Sequence, residues 1–156
     1  MSIQTVKQYF KDNNLPLEII VTNEDTSTVE KAAKALGVEP DMIAKTLAFR
    51  LKEKEILILT KGRAKTDNRK FKNYFKEKPR FVKFEEVEKV TSHPVGGVCP
   101  FGLPQDLDIY LDISLKEFTT VYPAGGSPNS AVKIDVSYLE EVTSGTWIDI
   151  SKEESI

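Results

Sequence analysis

Three parts of this sequence combine residue type and spacing in a way that can do chemistry. The first is Lys45, set in an apolar run with Met42, Ile43 and Ala44 before it and Leu47, Ala48 and Phe49 after it. A cation in such surroundings needs a partner or a route to water. Strand alternation puts Lys45 on the face of Leu47 and Phe49; the competing reading is an outward strand lysine satisfied by solvent. The second part is the stretch 93–104, which places Gly96, Gly97 and Gly102 together with Pro94, Pro100 and Pro104 in twelve positions. Glycine admits positive φ and close approach of a ligand to the backbone, and proline stiffens the chain. The loop therefore suits a preorganised cradle of N–H groups for a carbonyl or phosphate oxygen. A purely structural crossover with tight turns has the same composition. The third part, 123–130, holds Gly125 and Gly126, so the two loops carry five of the eight glycines. With neighbouring strands the loops line one rim, where Asn129 and Ser130 offer hydrogen bonds to a polar substrate. Otherwise 123–130 is a long hairpin loop.

His93 and Cys99 are the only histidine and the only cysteine. One cysteine excludes an intrachain disulfide framework and a cysteine-based zinc finger. With one histidine a metal would lean on carboxylates, and neither an HExxH nor a DxDxDG pattern is present, so no metal and no cofactor are expected. His93, beside the glycine loop, is a candidate base or ligand-contacting wall with no readable orienting partner. Cys99 reads as a buried thiol rather than a nucleophile. No Ser-His-Asp triad, paired-carboxylate site, Walker loop or Rossmann fingerprint can be assembled.

The elements that must position these residues follow from periodicity. Val6, Tyr9 and Phe10 predict a helix over 5–13, closed by Asn13, Asn14 and Pro16. Thr28 caps a second helix with Val29, Ala32, Ala33 and Leu36 as its apolar stripe, and Gly37 ends it. Residues 44–51 alternate as a strand, 52–55 form a hairpin connection, and 56–60 pair back antiparallel. Helices are expected over 67–75 and 84–90, the latter burying Phe84, Val87 and Val90. Strand character recurs at 109–111, 119–122 and 131–134, with a closing helix at 136–142. This order predicts a mixed α/β (α+β) fold, a largely antiparallel sheet flanked by helices.

At 156 residues, 40% hydrophobic and 29% charged, the chain is sized for one domain over 1–156 with a single core. No apolar run approaches the roughly 18 residues that cross a bilayer. The first residues lack a secretory signal pattern, so a cytoplasmic protein without a membrane partner is expected. A net charge of −2 hides an asymmetry: residues 61–80 hold nine basic residues against Asp67 and Glu77. With Phe71, Tyr74 and Phe75 interleaved, that segment is either a solvated helix face or a polyanion contact.

The ordered set Ile43-Ala44-Lys45-Thr46-Leu47, Gly96-Gly97-Val98-Cys99-Pro100-Phe101-Gly102, Tyr110-Leu111-Asp112 and Ala124-Gly125 resembles the YbaK and prolyl-tRNA-synthetase-associated domain family of free-standing aminoacyl-tRNA editing proteins. The resemblance covers nearly the whole chain. It implies a mixed α/β domain on a six- or seven-stranded sheet that hydrolyses the ester between a wrong amino acid and the tRNA 3′ end. Lys45 looks like the family's key lysine, contacting the terminal adenosine or ester rather than attacking it. Gly96, Gly97, Pro100 and Gly102 match the loop that shapes the aminoacyl pocket, and Phe101, His93, Gly125 and Asn129 join them as candidate substrate-binding residues. A labile ester needs mainly orientation, oxyanion stabilisation and a positioned water or ribose hydroxyl. Where family members often carry serine before the Ala-Gly pair this chain has Pro123, and its Gly125 loop extends through Asn129, so the resemblance leaves open which amino acid is edited, the cysteine and proline systems included.

On that resemblance Lys70, Lys72 and Lys76 become candidate tRNA contacts, and a synthetase or elongation factor a candidate helper of a protein acting on mischarged aminoacyl-tRNA. The expectation is a trans-editing deacylase. Its rivals are a non-catalytic module binding tRNA or nucleotide or regulating a partner, and a hydrolase of another small ester or amide that needs no tRNA.

Overall fold

The structure, a computed structural model, describes residues 2–104 and 106–153. Its centre is a four-stranded sheet in the order β2 (Ala44–Arg50), β3 (Glu55–Lys61), β5 (Asp108–Asp112), β9 (Thr146–Ile148). The β2–β3 hairpin is antiparallel and pairs Ala44 with Lys61 through Arg50 with Glu55. Strands β3 and β5, and β5 and β9, run parallel. Parallel neighbours require a long crossover, here the 62–107 connection that carries β4 (Lys65–Thr66), α3 (Asn68–Phe75) and α4 (Val87–Thr91).

Ile56, Leu57, Ile58 and Leu59 are all fully buried, as a central strand covered on both faces must be. Period-two alternation divides the core around them. Ile56 and Ile58 cluster with Phe49, Phe71 of α3, Ile148 and Ile150. Leu59 clusters with Val6 and Phe10 of α1 (Ser2–Asp12), with Leu111 and Leu115, and with Leu139 of α5 (Val136–Thr143). The expected capping is present in α2 (Val29–Leu36): the Thr28 hydroxyl accepts from Lys31 N–H and Gly37 ends the helix at φ 69°.

Three antiparallel two-stranded ladders complete the structure: β1 (Ile19–Val21) with β7 (Ser130–Val132), β6 (Thr120–Val121) with β8 (Ile134–Asp135), and β4 with β10 (Ser151–Lys152). Four of the six ladders among the described residues are therefore antiparallel, the mixed arrangement expected from the element order. The strands do not join into one six- or seven-stranded sheet, because the β6 segment meets β2 only through the Ile43–Tyr122 bridge.

Three local expectations are corrected. The helix over 84–90 is a 3-10 turn, Phe84–Glu86, running into the short α4, and Phe84 is exposed rather than buried because the apolar stripe begins only with Val87 and Val90. The strand at 131–134 is two strands separated by exposed Lys133. The helix at 136–142 does not close the fold: Thr146-Trp147-Ile148, too short for a clear period, supplies the fourth strand of the sheet.

Two buried ionic groups fasten the C-terminal ends of β3 and β5. Lys61, 3% exposed as a residue, donates from its ammonium to Glu117 (2.8 Å) and Glu153 (2.6 Å). Burial alone would lower its pKa, but these carboxylates hold it above the ordinary lysine value. Asp112, fully buried, accepts from Ser114 N–H (3.0 Å), Ile150 N–H (2.9 Å) and the Ser151 hydroxyl (2.6 Å). Asp112→Ala leaves those three donors without an acceptor and is expected to destabilise the fold by about 2–4 kcal/mol, read by denaturant unfolding. A variant as stable as the wild type would remove the carboxylate from the stabilising framework.

Candidate functional site

Strand β2 lies at one edge of the central sheet, and its outer side is taken up at both ends. Ala44 N–H donates to Tyr122 C=O (3.1 Å) and Tyr122 N–H to Met42 C=O (2.8 Å). At the other end Val82 N–H donates to Ala48 C=O (3.0 Å) and Arg50 N–H to Arg80 C=O (2.7 Å). Ala44, Ala48 and Arg50 thus turn main-chain groups away from β3, and strand alternation gives Thr46 the same direction. No main-chain group of the described residues meets Thr46 there.

A pocket of about 350 Å³ opens at this gap. One wall is β2 from Ile43 to Ala48; the opposite walls come from Val29, Ala32 and Leu36 of α2 and from Val95, Gly96 and Val98 of the glycine-proline loop. Phe81 and Val82 border it beyond Ala48, and Tyr122 and Ala131 beyond Ala44. Lys45 is the only lysine, arginine, histidine or carboxylate among the lining residues. Its ammonium donates to Ala64 C=O (2.5 Å), which holds the half-buried side chain against the wall. The Thr46 hydroxyl is buried beside it with no hydrogen-bond partner. A buried hydroxyl without a partner is a local cost to the fold. The β2 wall therefore offers one cation and one unpaired peptide unit, facing a largely apolar lining that also carries Thr26, Ser27, Thr28, Tyr122 and Ser130.

The two glycine loops do meet. A Cβ on Gly97 would stand 2.6 Å from the Ser127 main chain, and one on Gly96, at φ 89°, would stand 2.8 Å from Ser27 Cβ. Only glycine permits both approaches. Of the candidate loop residues, Gly96 alone lines the pocket, while Gly97 is buried behind it. Pro100 is buried, and Phe101 points into the core with its ring 5.1 Å from that of Phe10. Gly102 packs on Thr5. Gly125 sits beneath Ile19 and Ser130, and Asn129 borders a separate hollow with Ile3, Thr5 and Glu88. Asn129 accepts from the Ser127 hydroxyl (2.6 Å), so it braces its own loop.

His93 is also outside the pocket, because its ring is fully buried with Nε2 2.6 Å from Phe101 O. Burial lowers its pKa, the Phe101 carbonyl opposing. Cys99 Sγ lies 3.5 Å from the same Nε2. On the basic segment, Lys70 is engaged by Asp149 (3.0 Å) and by Ser151 C=O (2.8 Å), whereas Lys72 and Lys76 are exposed. Thr46 and Phe81 escaped the sequence reading. Thr46 had a signal, its place next to Lys45; Phe81 had none, since its position depends on a pairing with β2 distant in the chain.

The structure thus sets a pocket at an open sheet edge beside a half-buried lysine, roofed by a helix and a glycine-proline loop, on a mixed α/β fold. The chain belongs to the aminoacyl-tRNA editing domain family, which matches residues 23–142. It is 43% identical over 155 residues to the uncharacterized protein YwhH of Bacillus subtilis (strain 168), covering 98% of this chain and 99% of that one. It is 30% identical over 131 residues to the proline–tRNA ligase of Bacillus licheniformis, covering 83% of this chain and 23% of the ligase. A crystal structure of a candidate trans-editing enzyme for prolyl tRNA synthetase superposes with a TM-score of 0.89 at 28% identity, covering 99% of this chain and 98% of that one.

The buried thiol provides a direct check on this geometry. Burial pushes the Cys99 thiol up to about 12 against an ordinary value of 9.0, lowering its thiolate fraction at pH 8 by about a thousandfold. Alkylation of the folded protein by iodoacetamide at pH 8 is expected to be negligible and to become rapid in denaturant. Rapid labelling of the folded protein would mean that the 93–104 loop is open.

Proposed function

We propose that residues 1–156 act as one trans-editing deacylase of the cytoplasm, hydrolysing the ester between a mischarged amino acid and the 3′-terminal ribose of tRNA. The observation that carries this is Lys45 as the sole charged residue lining the pocket, next to the main-chain gap at Thr46. Membership in the editing family and the likeness to a candidate trans-editing enzyme over nearly the whole chain support it.

In this reading the ester carbonyl enters the gap in β2. Water attacks the carbonyl carbon, the carbonyl oxygen takes up negative charge, and the C–O bond to the ribose then breaks. The proton that the attacking water gives up passes to the leaving ribose oxygen, giving free amino acid and uncharged tRNA. Lys45 and the Thr46 N–H stand where donors are needed for the developing oxyanion, and preorganised donors in a low-dielectric pocket are worth several kcal/mol. The lining holds no imidazole or carboxylate to act as base, so the ribose hydroxyl next to the ester is the group that orders the attacking water. Val29, Ala32 and Leu36 form an apolar wall for the amino-acid side chain, which selects small uncharged residues. Gly96 closes the opposite side; Gly97, Pro100, Phe101, Gly102, His93, Gly125 and Asn129 hold that side in shape from behind.

The test is deacylation of a panel of mischarged tRNAs, without added metal, beside Lys45→Ala. The variant is expected to lose about 10²–10³ in rate on whichever substrate the wild type hydrolyses. Full activity in the variant would overturn the role of Lys45. Binding of charged tRNA without hydrolysis of any ester would establish instead a binding module, with Lys45 as an anchor. Turnover of small esters without tRNA would establish a general esterase.

Exposed Lys72 and Lys76 extend the substrate footprint onto the RNA, with Lys70 held back by its ion pair. Lys72→Gln with Lys76→Gln is expected to weaken tRNA binding and flatten its dependence on salt by about one to two counterions. An unchanged salt slope would remove α3 from the footprint.

A further inference from the structure

Residues 76–84 run from the end of α3 to the mouth of the pocket, and the reaction described above leaves their most conspicuous property unused. Phe81 is 61% exposed and Phe84 is 74% exposed, the two highest values among the exposed large hydrophobic residues. Phe81 is also firmly held. It bridges Phe49 in antiparallel fashion, and its neighbours Arg80 and Val82 make the main-chain hydrogen bonds that close the end of β2. Its ring stacks on Phe49 at 4.7 Å between centroids and 22° between planes, and Phe49 lies 5.0 Å from Phe71. One face of Phe81 thus belongs to the core, while the residue borders the pocket and keeps most of its surface in water. A fixed aromatic face in solvent is a standing cost unless something covers it.

The stretch 76–83 is strongly basic, although Glu85 and Glu86 follow Phe84, the latter paired with Arg50 (2.7 Å). Lys76, Lys78, Arg80 and Lys83 are all exposed, and the one acidic residue in the stretch, Glu77, accepts from Lys52 N–H (2.9 Å). Flat aromatic faces interleaved with cations match unpaired nucleotides, whose bases stack and whose phosphates need neutralising. An apolar protein surface would use the rings and leave four cations unanswered; a duplex would use the cations and leave the rings bare.

We propose that residues 78–84 are a stacking platform for the unpaired 3′-terminal nucleotides of the RNA: the outer face of Phe81 takes the base nearest the pocket, Phe84 takes a further base, and Lys78, Arg80 and Lys83 take the phosphates between them. The proposal rests on the reading that the ester is carried by tRNA, and it deepens that reading by stating how the 3′ end is delivered to the gap beside Lys45.

The experiment uses an uncharged hairpin RNA with an acceptor-type stem and a four-nucleotide single-stranded 3′ end containing 2-aminopurine. Wild type is expected to bind it and quench the fluorophore by stacking. Phe81→Ala is expected to lose the quench and raise Kd about tenfold, while Phe81→Tyr retains both. Phe84→Ala, which removes a ring that supports no core packing, is expected to weaken binding severalfold at unchanged Tm. A blunt hairpin is expected to bind wild type and variants equally weakly. Unchanged binding by Phe81→Ala and Phe84→Ala, equal losses on the blunt hairpin, or failure of the wild type to bind would each overturn the platform. The readout requires no turnover. Binding and quenching without deacylation would leave the platform standing and remove the hydrolase. Deacylation with KM unaltered in both variants would keep the hydrolase and remove the platform.

Discussion

An edge strand carries main-chain donors and acceptors that a second strand, water or a ligand must satisfy. In β2 the outer edge is satisfied at Ala44 by the Tyr122 segment and at Ala48 and Arg50 by the 80–82 segment, and it is left open between them at Thr46. The pocket is that interruption. Its floor, the lysine beside it and the aromatic border at its mouth all derive from where the two covering segments stop. The interruption is stable because the strand behind it is not exposed to competition: β3 is buried on both faces and paired along its whole length with β2.

The glycine loops serve this edge indirectly. Gly96 and Gly97 matter for the absence of a side chain, since a Cβ on either would collide with Ser27 or the Ser127 main chain. Close approach of the two loops lets the roof sit low over β2, and the interior of the first loop is filled by Phe101, His93 and Cys99 packed beneath it. Residues that look reactive by type are here part of a support, which follows from their burial and from a thiol pushed far above neutral pH.

Much of the fold was legible in sequence because its signals are local. The cap at Thr28, the stop at Gly37, the β2–β3 hairpin and the helix capped by Asp67 each declare themselves within a few residues. The closing strand β9 did not, because three residues give no period and its pairing with β5 depends on a chain-distant partner. The same distinction governs the site. Lys45 stood out as a cation in an apolar run, whereas the roles of Gly102, Phe101 and Asn129 could not be separated from that of Gly96 by composition. Which glycine faces the pocket is decided by packing against α1, β1 and the 123–130 loop. Phe84 misled for a related reason: helical spacing assigned it to a buried stripe that the fold does not provide.

Helix α2 lines the pocket with Val29, Ala32 and Leu36, while β2 lines it with Ala44 to Ala48 and leaves its main chain open at Thr46. Side chains change with a single substitution, but the direction of a peptide group in a paired strand does not. Val29, Ala32 and Leu36 can therefore drift in size while the open peptide unit at Thr46 stays where the β2–β3 register puts it. A scaffold divided in this way lets the helix side of the pocket change shape while the strand side keeps its geometry.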